Sequence, residues 1–136
     1  LYGEELRMRG GVSIQLLGIG INGHLGFNEP PCGPNTPCRL VRLSETTRIQ
    51  NAFAFNGDLN KVPVEAITLG MAEILSAEEI HLIVTGTSKA HILNCLLSQP
   101  SSNDLPASWL RQHKNLYVWA DHSAFGQCKR GMIASK

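Results

Sequence analysis

Apolar and polar residues along this chain follow two different periods. Val12-Ser13-Ile14-Gln15-Leu16-Leu17, Ile80-His81-Leu82-Ile83-Val84 and Asn115-Leu116-Tyr117-Val118-Trp119-Ala120 are short β-prone runs, and each predicts a strand. Ile92, Leu93, Leu96 and Leu97 recur at helical spacing and predict a helix over 90–98. Apolar residues at 67, 71, 74 and 75 follow Pro63. Proline suits a first helical turn because its missing N–H is not needed there, so this pattern predicts a helix over 64–77. Weaker signals predict a helix end over 4–9 closed by Gly10-Gly11, a strand over 39–44 and a short helix over 107–113. Residues 45–60 are polar and match neither period. Residues 18–38 hold five glycines and four prolines and read as loop, as does the Ser/Pro/Asn stretch 99–106. The tail, 124–136, has little pattern and reads as helical or frayed. Strands alternating with helices predict an α/β domain around a parallel sheet of three to five strands. With no repeat, low-complexity segment or linker, residues 1–136 read as part of a single domain.

Composition narrows the class without naming a function. A chain of 136 residues can bury a proper core. At 43% hydrophobic and 17% charged it reads as a soluble globular protein. The net charge is +1 with both signs dispersed, so no basic block points to nucleic acid. The apolar runs are too short to span a membrane. The chain starts Leu1-Tyr2-Gly3, with neither a Met nor a signal pattern, and reads as a fragment or a processed piece. Cys32, Cys38, Cys95 and Cys128 form no Cys-x-x-Cys pair. They read as thiols of a reducing cytoplasm, with zinc or a disulfide the lesser reading. No metal-ligand spacing stands out.

The chemistry-bearing stretch is Gly18-Ile19-Gly20-Ile21-Asn22-Gly23-His24-Leu25-Gly26-Phe27-Asn28-Glu29-Pro30-Pro31. Its first six residues have the glycine spacing of a dinucleotide-binding turn, and Glu45 lies near where a ribose-binding acid would fall. That turn must open into a helix, which Pro30 and Pro31 forbid. The stronger reading is a polar loop at the carboxyl end of a strand, where open α/β sheets bind ligands. The glycines, Gly20 and Gly23 among them, let backbone approach a ligand and take positive φ. His24 titrates near neutral pH, and Glu29 is within loop reach of it. Together they make an acid/base unit. The blander alternative is a loop locked by His24 and Asn28 bonding to backbone.

Thr85-Gly86-Thr87-Ser88-Lys89 lies between a strand and a helix. Free N–H groups, hydroxyls and Lys89 make an anion site. Plain N-capping by Thr87 or Ser88 is the competing reading. His81, His91 and His122 read as surface or structural. His113 ends a helix, where a cation suits the dipole. Trp109 and Trp119 read as core.

Three stretches carry a family resemblance. "LLGIGINGHLGFNEP" (16–30) resembles the signature of the glucosamine-6-phosphate deaminase/isomerase family. The likeness runs on through "VPVEAITLGMAEILSAEEIHLIVTGTSKA" (62–90) and "LPASWLRQHKNLYVWAD" (105–121), the last shared with the wider sugar-phosphate isomerase and lactonase superfamily. It covers residues 1–125. It implies a Rossmann-like three-layer α/β fold with a mostly parallel sheet. It also implies a cytoplasmic enzyme of amino-sugar catabolism that converts an amino-sugar 6-phosphate into a ketose 6-phosphate and ammonia, without metal or organic cofactor. His24 matches the His that opens the sugar ring, Glu29 matches a supporting carboxylate, and Lys89 matches a phosphate-binding residue. Arg39 falls where hexameric bacterial deaminases carry an allosteric Arg, but its neighbours do not match.

Three departures qualify the likeness. Asn22 stands where the deaminases have a second supporting Asp. It can orient the imidazole but cannot offset its charge, so it lowers the pKa of His24 relative to an Asp-paired form. Phe53 stands where they have a phosphate-binding Arg. The N-terminal half of the family domain, with a phosphate loop and the Asp that moves the C2 proton, is absent. The first two resemble the galactosamine-6-phosphate isomerase-like branch. The third implies that this chain alone is inactive and exposes a strand edge and apolar surface, so that marginal stability or self-association is expected. The full-length protein is expected to be a homo-oligomer with a sugar-phosphate ligand and no nucleic-acid or membrane partner. A catalytically silent sugar-phosphate binder and a lactonase-like hydrolase are the alternative readings.

Overall fold

Ile80, Leu82 and Val84 alternate with His81 and Ile83, and only the first three are fully buried. That period of two builds the molecule around one central strand. A computed structural model describes residues 2–126. In chain order its elements are α1 (Tyr2–Met8), β1 (Ile14–Leu17), β2 (Arg39–Arg42), α2 (Glu45–Asn51), β3 (Glu65–Thr68), α3 (Met71–Leu75), β4 (Glu79–Val84), α4 (Ala90–Ser98), β5 (Leu116–Ala120) and the single turn α5 (His122–Phe125). Short 3-10 turns cover Ala52–Phe55, Leu59–Lys61, Thr87–Lys89 and Pro106–Gln112.

The main sheet is parallel, in the order β1-β4-β5. Leu17 pairs with Leu82, and Leu82 with Val118. These residues share one face with Ile80, Val84 and Leu116. Leu93 and Leu96 of α4, Met71 and Ile74 of α3, Leu110 and Leu25 pack there into one core. The α/β class and parallel sheet expected from the sequence are present. The helix over 90–98 and the loop over 18–38 are present as well. The ambiguous 45–60 stretch forms α2 and two 3-10 turns, started by Ser44, whose hydroxyl accepts from the Thr47 N–H. The expected tail begins within α5. From residue 127 on, including Cys128, the tail lies outside the described residues.

Two expectations fail. The helix over 64–77 is instead β3, a break at Leu69-Gly70, and α3. Residues 65–68 extend because β2 offers them an antiparallel partner, with Arg39 opposite Thr68 and Arg42 opposite Glu65. Ile67, counted toward the helical stripe, is 74% exposed. Gly70 permits the break, since a Cβ there would sit 2.1 Å from the Thr36 carbonyl oxygen. Trp119 is also not core: it is 58% exposed. It stands on the second face of the main sheet with Ile14, Leu16, Ile83 and Tyr117, all exposed. No described element covers that face, so the described residues build only part of the three-layer arrangement. His81 stands among these aromatics. It stacks on Tyr117 and Trp119 and accepts the Trp119 indole N–H at 3.0 Å. Trp109 does pack against the core. Cys32, Cys38 and Cys95 are free thiols. No helix among the described residues is long and apolar enough to cross a membrane.

Adjacent residues of β4 should therefore differ sharply in their contribution to stability. Leu82→Ala is expected to cost about 2–5 kcal/mol, as for a truncated core leucine. Ile83→Ala, on the uncovered face, is expected to cost less than about 1 kcal/mol. Urea unfolding of the two variants decides it, and equal costs would mean that the second face is packed.

Candidate active site

A parallel sheet brings the carboxyl ends of its strands to one edge. The loop after β1, the turn after β4 and Asp121 after β5 therefore meet there. Lys89 crosses from the second of these to the first, its ammonium donating to the Ile19 carbonyl at 2.7 Å. His24 and Lys89, expected from separate motifs, lie close enough at this edge for the charge of Lys89 to act on the imidazole.

The glycines of the loop make room for side chains. A Cβ on Gly20 would lie 2.1 Å from the His24 ring. The imidazole occupies the space that any other residue at 20 would fill. A Cβ on Gly23, whose φ is +82°, would meet Leu105 at 2.3 Å. The Gly20 N–H donates to the His24 carbonyl and the Gly23 N–H to the Gly20 carbonyl. Both N–H groups are thus spent inside the loop, and no helix follows it before β2.

Asn22 determines which ring nitrogen of His24 carries the hydrogen. Its Oδ1 lies 2.6 Å from His24 Nδ1 and accepts the His24 backbone N–H at 3.3 Å. The His24 backbone N–H can only donate, which identifies the atom it meets as the amide oxygen. An oxygen only accepts, so Nδ1 carries the hydrogen and Nε2 keeps its lone pair. Burial lowers the His24 pKa below its ordinary 6.5, the charge of Glu29 raises it, and that of Lys89 lowers it further. The net direction is down, so the ring is neutral near pH 7 and can accept a proton.

Glu29 is held from outside the loop. Its Oε1 accepts from the Thr47 hydroxyl and lies 3.4 Å from the Ser44 hydroxyl. Sequence reasoning missed both residues. Asn28, by contrast, is structural. Fully buried, it donates to the Leu25 and Leu69 carbonyls and accepts from Arg39 at 2.7 Å. The locked-loop reading is thus right for Asn28, while the His24 ring stays with Asn22. Phe53 is exposed on a 3-10 turn.

In the second motif neither Thr87 nor Ser88 caps the helix through its side chain. Gly86 turns at φ +86°, and its N–H donates to the Asp121 carboxylate. The N–H groups of Ala124 and Gly86 hold the Asp121 pKa below the usual carboxylate range. His91, His113 and His81 take partners elsewhere: Cys95, the Ala77 carbonyl and Trp119. Among the described residues no His/Cys/Asp/Glu group could hold a metal ion. A groove of about 650 Å³ runs along β5 past Leu93, Tyr117 and Trp119. It is mostly apolar and does not include His24, Glu29 or Lys89, so the candidate site lies outside it.

Residues 2–119 match the family model described as glucosamine-6-phosphate isomerases/6-phosphogluconolactonase. A glucosamine-6-phosphate deaminase of Halalkalibacterium halodurans is 42% identical over 123 residues, which is 90% of this chain and 50% of that protein. A solved monomeric glucosamine-6-phosphate deaminase superposes with a TM-score of 0.87 at 40% identity, over 93% of this chain and 52% of its own. The 6-phosphogluconolactonase of Trypanosoma brucei shares the fold, with a TM-score of 0.66 at 20% identity over 94% of this chain and 51% of its own. The chain thus spans about half the length of the relatives it matches.

The geometry at His24 sets several expected outcomes for its imidazole. Its titration, followed by NMR of the ring protons, should have its midpoint below 6.5. Asn22→Asp should raise the midpoint, because a carboxylate favours the imidazolium where an amide does not. Protonation is disfavoured in the folded state, so His24 removes stability as pH falls from 6.5 through the lower native value. A midpoint that does not rise in Asn22→Asp would contradict the assigned contact. Gly20→Ala should evict the ring, read as loss of the Nδ1–Asn22 hydrogen bond in ring nitrogen shifts, while the circular dichroism spectrum is unchanged.

Proposed function

The chain belongs to the glucosamine-6-phosphate isomerase/6-phosphogluconolactonase family, and from that premise we propose that it carries the ring-opening half of an amino-sugar-6-phosphate deaminase/isomerase site. The observation that carries this reading is the neutral His24, with Nε2 unprotonated, set beside Glu29 and Lys89. Opening a pyranose requires a proton to leave the anomeric hydroxyl and another to reach the ring oxygen. Nε2 takes the first and supplies the second. The imidazolium formed in between is favoured by Glu29 and held in orientation by Asn22. Lys89 exchanges its Ile19 contact for the substrate phosphate, a charge-assisted pair. Gly20 and Gly23 serve by seating His24 and Leu105.

Ring opening gives an aldose with an amine on C2. Transfer of the C2 proton to C1 makes a C2 imine, and water hydrolyses it to the ketose and ammonia. We assign that transfer to the family Asp in the part of the domain outside this chain. No step needs a metal or organic cofactor. The reading requires no second copy either, and the solved deaminase relative is monomeric. A cytoplasmic location fits a phosphorylated-sugar substrate.

The test is ammonia release by the full gene product, given glucosamine 6-phosphate and galactosamine 6-phosphate in parallel. His24→Ala is expected to lose roughly 10²–10⁴-fold in kcat, as for a removed general acid/base. Lys89→Met is expected to raise KM roughly tenfold or more, as for a lost charged hydrogen bond. Ammonia from neither sugar, with binding retained, would replace this reading by the silent binder.

A further inference from the structure

We propose that Thr47 is the positioning residue of this site: its hydroxyl, braced by Ser44, holds the Glu29 carboxylate toward His24. The proposal rests on the acid/base reading of His24 and Glu29 and adds the group that orients them.

Counting hydrogens gives the direction of each contact. The Thr47 N–H donates to Ser44 Oγ at 3.2 Å. Ser44 Oγ has one hydrogen and two neighbours to give it to. Thr47 Oγ1 is at 2.9 Å and Glu29 Oε1 at 3.4 Å, so the nearer oxygen takes it. Thr47 then has one hydrogen left, and the Glu29 carboxylate is its acceptor. A carboxylate only accepts, and Thr47 is buried at 5% exposure, so its hydroxyl requires this partner. The contact joins residues 18 apart in sequence.

The neighbouring backbone leaves Thr47 little else to control. Asn28 is anchored by Leu25, Leu69 and Arg39. Pro30 and Pro31 follow Glu29 directly, each with a fixed φ. The chain on both sides of Glu29 is therefore held, and its side-chain torsions are the remaining freedom. Unheld, a half-buried glutamate turns to water and away from the imidazole. Glu29 and Lys89 are the charged groups that act on His24. Moving Glu29 away leaves Lys89 unopposed.

Thr47→Val removes the hydroxyl and keeps the backbone N–H that caps α2. The readout is the His24 titration midpoint by NMR in the full gene product. The midpoint is expected to fall in Thr47→Val and to fall further in Glu29→Gln, which sets the full scale. The loss in Thr47→Val is partial because Ser44 can turn its hydroxyl to Glu29. Thr47→Ser is expected to keep the wild-type midpoint. Thr47→Ala repeats the measurement should the branched valine disturb α2. In the ammonia assay Thr47→Val is expected to lower kcat several-fold at unchanged KM, and Thr47→Ser to restore it. An unchanged midpoint in folded Thr47→Val and Thr47→Ala, with Glu29→Gln lowering it, would overturn the proposal. So would a midpoint that Glu29→Gln itself does not move. Absence of ammonia from the wild type would defeat the functional reading, while the titration would still decide the role of Thr47.

Discussion

The buried amide of Asn28 is the contact on which the site depends. Between β1 and β2 the chain has no helix or strand, and such a loop holds one shape only when side chains satisfy its backbone. Asn28 gives both amide hydrogens to carbonyls, Leu25 within the loop and Leu69 beyond β3, and takes the Arg39 guanidinium on its oxygen. Every polar atom of a fully buried side chain is thus paired. Phe27 adds a backbone bond to the Thr68 hydroxyl. The β2–β3 pair is therefore the frame that holds His24 and Glu29 against the edge of the main sheet. Arg39 has a structural role in that frame.

The imidazole shows how the loop combines geometry with electrostatics. Gly20 clears the space for the ring, Asn22 selects the tautomer, and burial keeps the ring neutral. Glu29 and Lys89 then act on it with opposite sign. A ring placed this way can take a proton at neutral pH and release it again. Replacing a carboxylate by an amide at position 22 favours the neutral form, and Glu29 remains to stabilise the charged one.

The second face of the sheet explains what composition could not. Parallel sheets are normally covered on both faces. Among the described residues helices cover only one, and Ile14, Leu16, Ile83, Tyr117 and Trp119 stand exposed on the other. The chain spans about half the length of the relatives it matches. His81 lies on that face in ring contact with Tyr117 and Trp119 and hydrogen-bonded to Trp119.

Much of this was local and therefore legible in the sequence. The three strands of the main sheet, the helix over 90–98 and the proline-rich loop follow from period, propensity and φ restriction within a few residues. His24, Glu29 and Lys89 were legible because each stands in a motif beside a strand end, and a parallel sheet gathers such ends. What stayed hidden was decided by residues far apart in sequence. Residues 65–68 are a strand because β2 supplies partners that outweigh a helical spacing. Trp119 is exposed because no described layer reaches it. The hold of Thr47 on Glu29 and of Arg39 on Asn28 could not be read from either segment alone. Local backbone preference and side-chain chemistry were enough to set the class of fold and to nominate candidate groups for the site. Only the tertiary structure decided how those groups are oriented, because a buried hydrogen bond depends on which distant residue folding brings to within 3 Å or so.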